Sequence, residues 1–318
     1  MLAISLNVQT MLGLLAVVYM AIRSHRRSSL TQSGILAALI VGTIHALHPF
    51  RILSLLLVFF VCGTKLTTWG SDIKEELLTD EHEDGPSISA ARGKKKKEGR
   101  TATQVFCNAG PATLLCTIHL LTSTTPHLSC LPTPSLPDLL IFGTVAQYAC
   151  SAGDTFSSEI GILNDNWPIL ITTLRNVPPG TNGAVSLLGL VAALMGGTFI
   201  GLTAAITIPC DSLTTRLVLL LVGVGAGLCG SLIDSLLGAT CQQTIYNAQM
   251  KKVVEVHGGS AAPVQPRHRD KERYIVLGHD LLDNNQVNLL SALLTVLLTM
   301  ITVTVCSRLL ASLPLGLT

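Results

Sequence analysis

The chain has 318 residues, 48% of them hydrophobic and only 13% charged, with 21 Lys and Arg against 19 Asp and Glu, a net charge of +2. Mean hydropathy is +0.54; a soluble domain carries about twice that share of charge, so a soluble enzyme and a disordered chain are both excluded. Aromatic residues are 4%, too few for a nucleic-acid surface built on stacking, and a polytopic all-α membrane bundle is what remains.

A membrane span takes about 20 predominantly apolar residues. Segments 2–22, 31–48, 50–69, 102–122, 138–161, 184–208, 213–240 and 286–313 meet that requirement and predict about eight transmembrane helices. The first is followed, not preceded, by Arg23, Arg26 and Arg27, the charge order of an uncleaved anchor with its N-terminus outside the cytosol. Only His48, Pro49 and Phe50 separate the second span from the third, which predicts a tight helical hairpin. Alternating the spans places all of the 21 Lys and Arg except Arg51, Arg216 and Arg308 on the cytosolic side, the imbalance that the positive-inside rule demands. The expected organisation is three N-terminal helices (1–69), a charged cytosolic loop (70–101) and a five-helix membrane core (102–318) with a cytosolic loop at 242–285. No soluble domain is expected. An endomembrane location, with the endoplasmic reticulum as first candidate, suits such a chain.

The loop 70–101 holds the lysine run 94–97. It reads either as a solvated stretch that fixes topology or as a contact for anionic lipid headgroups, worth ~1 kcal/mol per lysine near the surface. The nine cysteines include no CxxC pair, which disfavours a zinc ribbon and a disulfide scaffold and leaves them as small packing residues. Cys130 and Cys210 fall on the non-cytosolic side, where an oxidising lumen would let them pair. His45 and His48, beside Pro49, read as an interfacial turn.

Acids inside spans are costly, about 2.5–3.5 kcal/mol each near the bilayer centre. Asp154 and Glu159 lie in the fifth predicted span and Asp234 in the seventh, all toward the cytosolic end. Asp154 and Glu159 do not share a face of an ideal helix, so a joint site needs a distorted helix or a separate partner for each. Asp234 has Ser231, Gly230 and Gly238 on its own face, followed by Ser235; small neighbours permit close approach of another helix or a headgroup. Segments 149–158 and 228–235 also share small residues before an Asp and a hydroxyl after it. The alternative to a site is helix–helix glue, acids hydrogen-bonded by hydroxyls.

Between the fifth and sixth spans runs Arg175, Asn176, Val177, Pro178, Pro179, Gly180, Thr181, Asn182 and Gly183. The prolines set an extended approach, and Gly180 and Gly183 permit positive φ. Such a turn either caps the next helix or lines up N–H groups as an anion nest, with Thr181, Asn182 and Arg175 adding donors. Asn108, ahead of Ala109, Gly110 and Pro111, predicts a bent helix with a freed carbonyl. Asn284, Asn285, Gln286 and Asn288 open the last span, with Asn285 as a candidate cap. Acids, amides, an arginine and a glycine turn at one depth suit a magnesium–phosphate site, since Mg²⁺ takes one or two carboxylates and completes its shell with phosphate and water.

The stretches VFCNAGPAT (105–113), AGDTFSSEIGIL (152–163), PPGTNGAVSLLGL (178–190), GLCGSLIDSLLGATCQ (227–242) and NNQVNLLSALLT (284–295) resemble the transmembrane protein 19 family, which includes phytyl-phosphate kinases. The resemblance runs from about residue 30 to the end. It implies a kinase-like enzyme that uses CTP as co-substrate and Mg²⁺ to phosphorylate an isoprenoid phosphate. It also implies Asp154 and Asp234 as metal ligands, Glu159 as an acid orienting the site, and Gly180, Thr181, Asn182 and Gly183 as a phosphate loop; the residues alone add Arg175 as a catalytic cation and Asn108 and Ser235 as phosphate-binding donors. The family more often has Asn where Thr101 follows Gly99 and Arg100, and the lysine run looks like an insertion. Two other classes stay open: a transporter or channel that uses the acids for cation or proton passage, and a non-catalytic membrane protein. No nucleic-acid partner is expected, and the bilayer is the one partner that composition itself requires.

Overall fold

The computed structural model describes residues 8–49, 51–70, 78–80, 99–123, 128, 134–164, 166–210, 212–248, 252–255 and 273–312. Eight helices lie among them: α1 Val8–Arg26, α2 Gln32–Leu47, α3 Leu53–Thr68, α4 Ala102–Thr122, α5 Leu136–Gly161, α6 Leu187–Thr207, α7 Leu213–Cys241 and α8 Asn284–Ser312. Each falls on one of the eight predicted segments. By length and composition α4, α6, α7 and α8 are able to cross a membrane. Helices α2 and α3 are apolar but have only 16 residues each, ~24 Å of helix against ~30 Å of hydrocarbon. Helix α5 has 26 residues and carries Asp138, Asp154 and Glu159.

The helix starts follow the capping chemistry of their sequences. Thr101 and Gln104 form a reciprocal capping box at α4, so Thr101 does the work an Asn would do there. Ser186 and Ser212 cap α6 and α7. At α8 the cap is Asp283, whose Oδ1 accepts from the Gln286 amide at 2.8 Å while Gln286 returns the bond to the Asp283 amide. Asn285 therefore does not serve as the cap. Helix α4 continues through Pro111, and the carbonyl of Asn108, one turn before it, is taken by side chains of α5.

Helix α5 is the axis of the bundle. It packs against α3, α4, α6, α7 and α8, and nearly every residue from Asp138 to Gly153 is buried. Glycines let its neighbours come close: Gly153 lies on Gly227 of α7, Gly196 on Ala152, and Gly197 on Gly223. Leu187, Ile206, Leu213, Leu221, Leu298 and Leu309 on α6, α7 and α8 are exposed, as a lipid-facing surface requires. Helix α2 packs on α1 and α4, whereas α3 packs on α5 and α6, and the two members of the expected hairpin touch each other little.

His45 and His48 do not form an interfacial turn. Both are buried. His45 shares its ring nitrogens with the Val41 carbonyl at 2.8 Å and the Tyr148 hydroxyl at 2.7 Å, and His48 Nε2 meets His119 Nδ1 at 3.1 Å. The α2 end is thereby fastened to α4 and α5.

Both long polar loops contribute strands. Strands β1 Leu78–Asp80, β4 Thr244–Asn247, β5 Lys252–Glu255 and β6 Arg273–Leu277 form one sheet in the order β1-β5-β4-β6, with β1 parallel to β5 and the other pairs antiparallel. Strands β2 Ile169–Leu170 and β3 Ala184–Val185 pair antiparallel across the glycine turn. Among the described residues every cysteine is free. The lysine run 94–97 and Cys130, and with it any Cys130–Cys210 pairing, lie outside the described residues.

Candidate functional site

A cavity of about 870 Å³ opens at the end of the bundle that carries the sheet. Its wall takes the C-terminal parts of α1, α5 and α7, the N-terminal parts of α4, α6 and α8, the α1–α2 connection, Ala38, Val41 and Gly42 of α2, and α3 along its length from Leu53 to Thr68. Odd helices run toward this end and even helices start from it, the up-and-down alternation that the charge pattern predicts.

Asp154 and Asp234 both line it, close enough for their carboxyl groups to interact. The contact follows from the local sequence. Gly153, next to Asp154, lies against the Gly227 backbone, and Gly230, one turn before Asp234, lies against Cys150. At Gly153 and Gly227 the two helices meet backbone to backbone, and one turn on only the small Cys150 side chain stands between them. The two segments that share small residues before an Asp are thus the two that touch. Ser291 of α8 donates to Asp234 Oδ2 at 2.9 Å. Both acids keep partial exposure toward the cavity. Two bare carboxylates this close repel each other, so a proton or a cation has to sit between them.

Glu159 also lines the cavity. It stands nearer the mouth, on a different face of α5 from Asp154, and its charge acts on Arg100. No distortion of α5 is needed: the cavity wraps around the end of the helix, so residues on two faces border it.

The glycine turn borders the cavity beside α7. Gly180 and Gly183 both have positive φ, 83° and 75°, as their spacing after Pro178 and Pro179 predicts. Thr181 is buried, with its hydroxyl donated to the Pro178 carbonyl at 2.7 Å. Asn182 is tied to the sheet: its amide N–H donates to Thr244 Oγ1 at 3.1 Å and its side-chain amide to the Gln243 carbonyl at 3.2 Å. The amides of Thr181 and Ala184 are also paired within the turn. The nest therefore narrows to Gly180 and Gly183, and Thr181 and Asn182 hold the turn in shape. Gly183 also packs against Ala239 and the Ser235 carbonyl, which places Ser235 on the cavity wall beside the turn.

Asn108 completes the floor. Its carbonyl accepts from Gln147 Nε2 at 3.1 Å and Ser151 Oγ at 3.3 Å, and its side chain pairs with Asn288 at 3.5 Å. The expected free carbonyl is present as a cross-link between α4 and α5.

Arg175 does not join the group. It is exposed, and it does not border the cavity. The cation on the wall is Arg100, with Arg27 at the rim. Arg100 Nη2 donates to Thr67 Oγ1 at 3.4 Å, and its guanidinium lies over the Phe60 ring at 5.8 Å. Burial lowers its pKa from the ordinary arginine value, and the Glu159 carboxylate opposes that shift. Its backbone is stitched to the α1–α2 connection through Ser29 and Thr31, and Gly34 and Gly99 are the residues small enough to allow it. Sequence reasoning passed over Arg100 because an arginine at a span boundary reads first as a topology signal. Its place directly before the Thr101–Gln104 capping box was the available hint.

Among the described residues no group of three or more His, Cys, Asp or Glu is arranged to hold a metal by itself. Two neighbouring carboxylates suit an ion that arrives with phosphate and keeps water, which is how Mg²⁺ is held in nucleotide sites. The donor set fits that use and no all-protein cage.

Comparison with known proteins settles the family. A family model described as integral membrane protein DUF92 matches residues 15–296. The chain belongs to this family. The matched segment spans the whole cavity wall, from Val17 to Asn288. Among DUF92-like relatives, Protein PGR of Arabidopsis thaliana is 41% identical over 289 residues, 88% of this chain and 91% of that protein. Protein VTE6, chloroplastic, of the same plant is 27% identical over 175 residues, 54% and 46% of the two chains. An uncharacterized membrane protein of Methanocaldococcus jannaschii is 34% identical over 121 residues, 37% and 48%. No solved structure matches the chain. Membership agrees with the transmembrane protein 19 resemblance read from the motifs.

Proposed function

We propose that the cavity is the active site of a CTP-dependent, Mg²⁺-assisted kinase that extends an isoprenoid monophosphate to a diphosphate at the cytosolic face of an endomembrane. One observation carries the reading: Asp154 and Asp234, from separate helices, come together beside the positive-φ turn Gly180–Gly183, in a cavity that also presents Arg100 and Asn108 and has an apolar section. The positive-inside count puts that end toward the cytosol, where nucleotide is available.

In the transfer, a phosphate oxygen of the lipid attacks the γ-phosphorus of CTP, the bond to the β-phosphate oxygen breaks, and CDP leaves. Catalysis of this kind needs positioning and charge neutralisation more than covalent help. Asp154 and Asp234 would hold the divalent ion, which would supply positive charge to the phosphates. The Gly180 and Gly183 amides and Arg100 bind phosphate oxygens, and Glu159 keeps Arg100 oriented. Asn108 and Ser235 offer side-chain hydrogen bonds at the wall. Arg100 takes the part that the motif pattern gave to Arg175.

The test is purified protein in lipid with labelled CTP and a series of prenyl monophosphates, beside an Asp154→Asn variant. Transfer that is lost in the variant supports the kinase. A second reading, cation or proton passage, draws on the buried polar contacts that continue along α5 beyond the cavity, Gln147 to Ser151 and Tyr148 to His45. No turnover with any nucleotide, together with ion flux into liposomes that depends on Asp154, would put that reading first. Absence of both leaves a non-catalytic membrane protein.

A further inference from the structure

The cavity has two chemically different parts, and the acids occupy only one. The other lies between the α1–α2 pair and α3. Val17, Met20, Leu53, Leu56, Leu57 and Phe60 line it. We propose that this part is a hydrocarbon-chain subsite that measures the isoprenoid tail and stops it at a fixed depth; the proposal rests on reading the polar part as a phosphate site.

Three features of the helices point to it. The first is a seam. Helices α1 and α2 pack on each other and α2 on α4, while α3 is held by α5 and α6, with Ser54 bonded to Thr207 at 2.9 Å. The two groups meet at the lower end through Val17, Ala46 and Leu53, against which Leu56 and Leu57 pack; above that level an apolar seam inside a bundle needs an apolar occupant to recover packing. The second is a polar boundary. Along α3 the wall changes from Leu56, Leu57 and Phe60 to Thr64 and Thr67, and the Arg100 guanidinium lies over Phe60 at the change. The Thr64 hydroxyl is buried there and has no hydrogen-bond partner among the described residues. A charged head and an apolar tail joined at that level match both sides of the boundary.

The third is a closed floor. Val17, Ala46 and Leu53 form a small core of their own. Gly13 brings α1 within 3.2 Å of Ala46 and 3.3 Å of Leu53, counted from where its Cβ would stand, and Gly42 does the same for α2 at 2.8 Å from Val17. From the floor at Leu53 to the boundary at Thr64 the α3 rise is ~16 Å. At a carbon–carbon bond of about 1.5 Å, a zigzag chain of roughly a dozen carbons fills that depth, which is about three isoprene units. Chains of many units are too long for it.

The test uses the full chain in lipid nanodiscs and farnesyl monophosphate with a diazirine at its far end, with no nucleotide present. Illumination is expected to label the floor residues of α1 and α3, and the phosphate-free prenol is expected to label them less. Leu56→Trp fills the seam ~4.5 Å above the floor, where only the far end of a three-unit chain reaches. It should cut labelling by farnesyl monophosphate by about tenfold while sparing geranyl monophosphate, an effect of the size that pocket shape gives apolar ligands. Leu53→Ala lowers the floor and should admit a four-unit chain; a normal unfolding temperature in both variants excludes misfolding. Label on the outward faces of α6 and α8 at the yield of the prenol, or a Leu56→Trp variant with unchanged chain-length profile, overturns the subsite. Floor labelling without phosphoryl transfer keeps the subsite and defeats the kinase reading, and transfer without floor labelling does the reverse.

Discussion

Replacing Gly153 with alanine is expected to push apart the two helices that carry the paired acids. A Cβ at Gly153 would stand 2.7 Å from the Gly227 carbonyl carbon and 2.8 Å from its Cα, where ordinary contact begins at 3.4 Å. Its nearest neighbour is the Gly227 carbonyl oxygen. Backbone does not swing aside as a side chain does, so α5 and α7 must part by about 1 Å or hold strain of ~1–3 kcal/mol. Asp154 is the adjacent residue and inherits the displacement. A shift of about 1 Å at reacting groups costs roughly 10²-fold in rate. Gly225 on α7 supplies the control, because a Cβ there meets nothing within 4 Å, and alanine in a helix interior gains up to ~1 kcal/mol over glycine. The assay is the unfolding temperature of the purified protein in micelles, with phosphoryl transfer measured on the same samples. Gly153→Ala should melt earlier than wild type and Gly225→Ala at or above it. If Gly153→Ala melts with Gly225→Ala and keeps full transfer, the backbone contact does not set the acid pair and the reasoning fails.

Four further outcomes are expected. Gly183→Ala combines a left-handed backbone, a cost of ~1–2 kcal/mol for an L-residue, with collision against Ala239 and Ser235, so it should lower both the unfolding temperature and transfer. Asp154→Asn and Asp234→Asn should each reduce transfer by about 10²–10³-fold, and the double variant should be no worse than the poorer single one, since the two act as a unit; Asp154→Asn should also melt no earlier than wild type. Arg100→Gln should raise KM for CTP or the lipid phosphate, whereas Arg175→Gln should follow wild-type kinetics. Tyr148→Phe leaves His45 Nε2 buried without its 2.7 Å partner, at a cost of ~1–3 kcal/mol in stability, read as an earlier melt.

The helices were legible in the sequence because a run of apolar residues is a local property, and the caps that end each run are local as well. The acids were legible because charge inside an apolar run stands out at any register. Contacts between distant segments were not. Tyr148 reaches His45 and His48 reaches His119 across long stretches of chain, and neither histidine carries a local mark of burial beside Pro49. The sheet arises when β1 from one polar loop adds to β5 from the other; charge and glycine content in those loops favoured solvent over pairing. The turn 178–183 was legible in its φ angles and not in its bonding, because Thr244, which claims the Asn182 amide, sits beyond two intervening helices.

The alternative in which the acids are helix–helix glue meets the structure in an instructive way. Glue pairs an acid with a donor, and Asp234 has one in Ser291. Asp154 has instead another carboxyl as its neighbour, with Glu159 adding like charge. Nothing in the packing requires this. Ala152 and Gly153 already let α5 meet α6 and α7 closely, and an amide at position 154 would hydrogen-bond Asp234 without repulsion. A pair that weakens the fold persists where binding or chemistry needs it, the trade between stability and activity found at functional sites. Asp154→Asn is therefore the substitution that separates the two accounts. Glue predicts an earlier melt when a member is altered. A cation-binding pair predicts no loss of melting temperature without added ions, because the amide replaces the shared proton between the two groups, together with loss of the stabilisation that added Mg²⁺ and nucleotide give the wild-type protein.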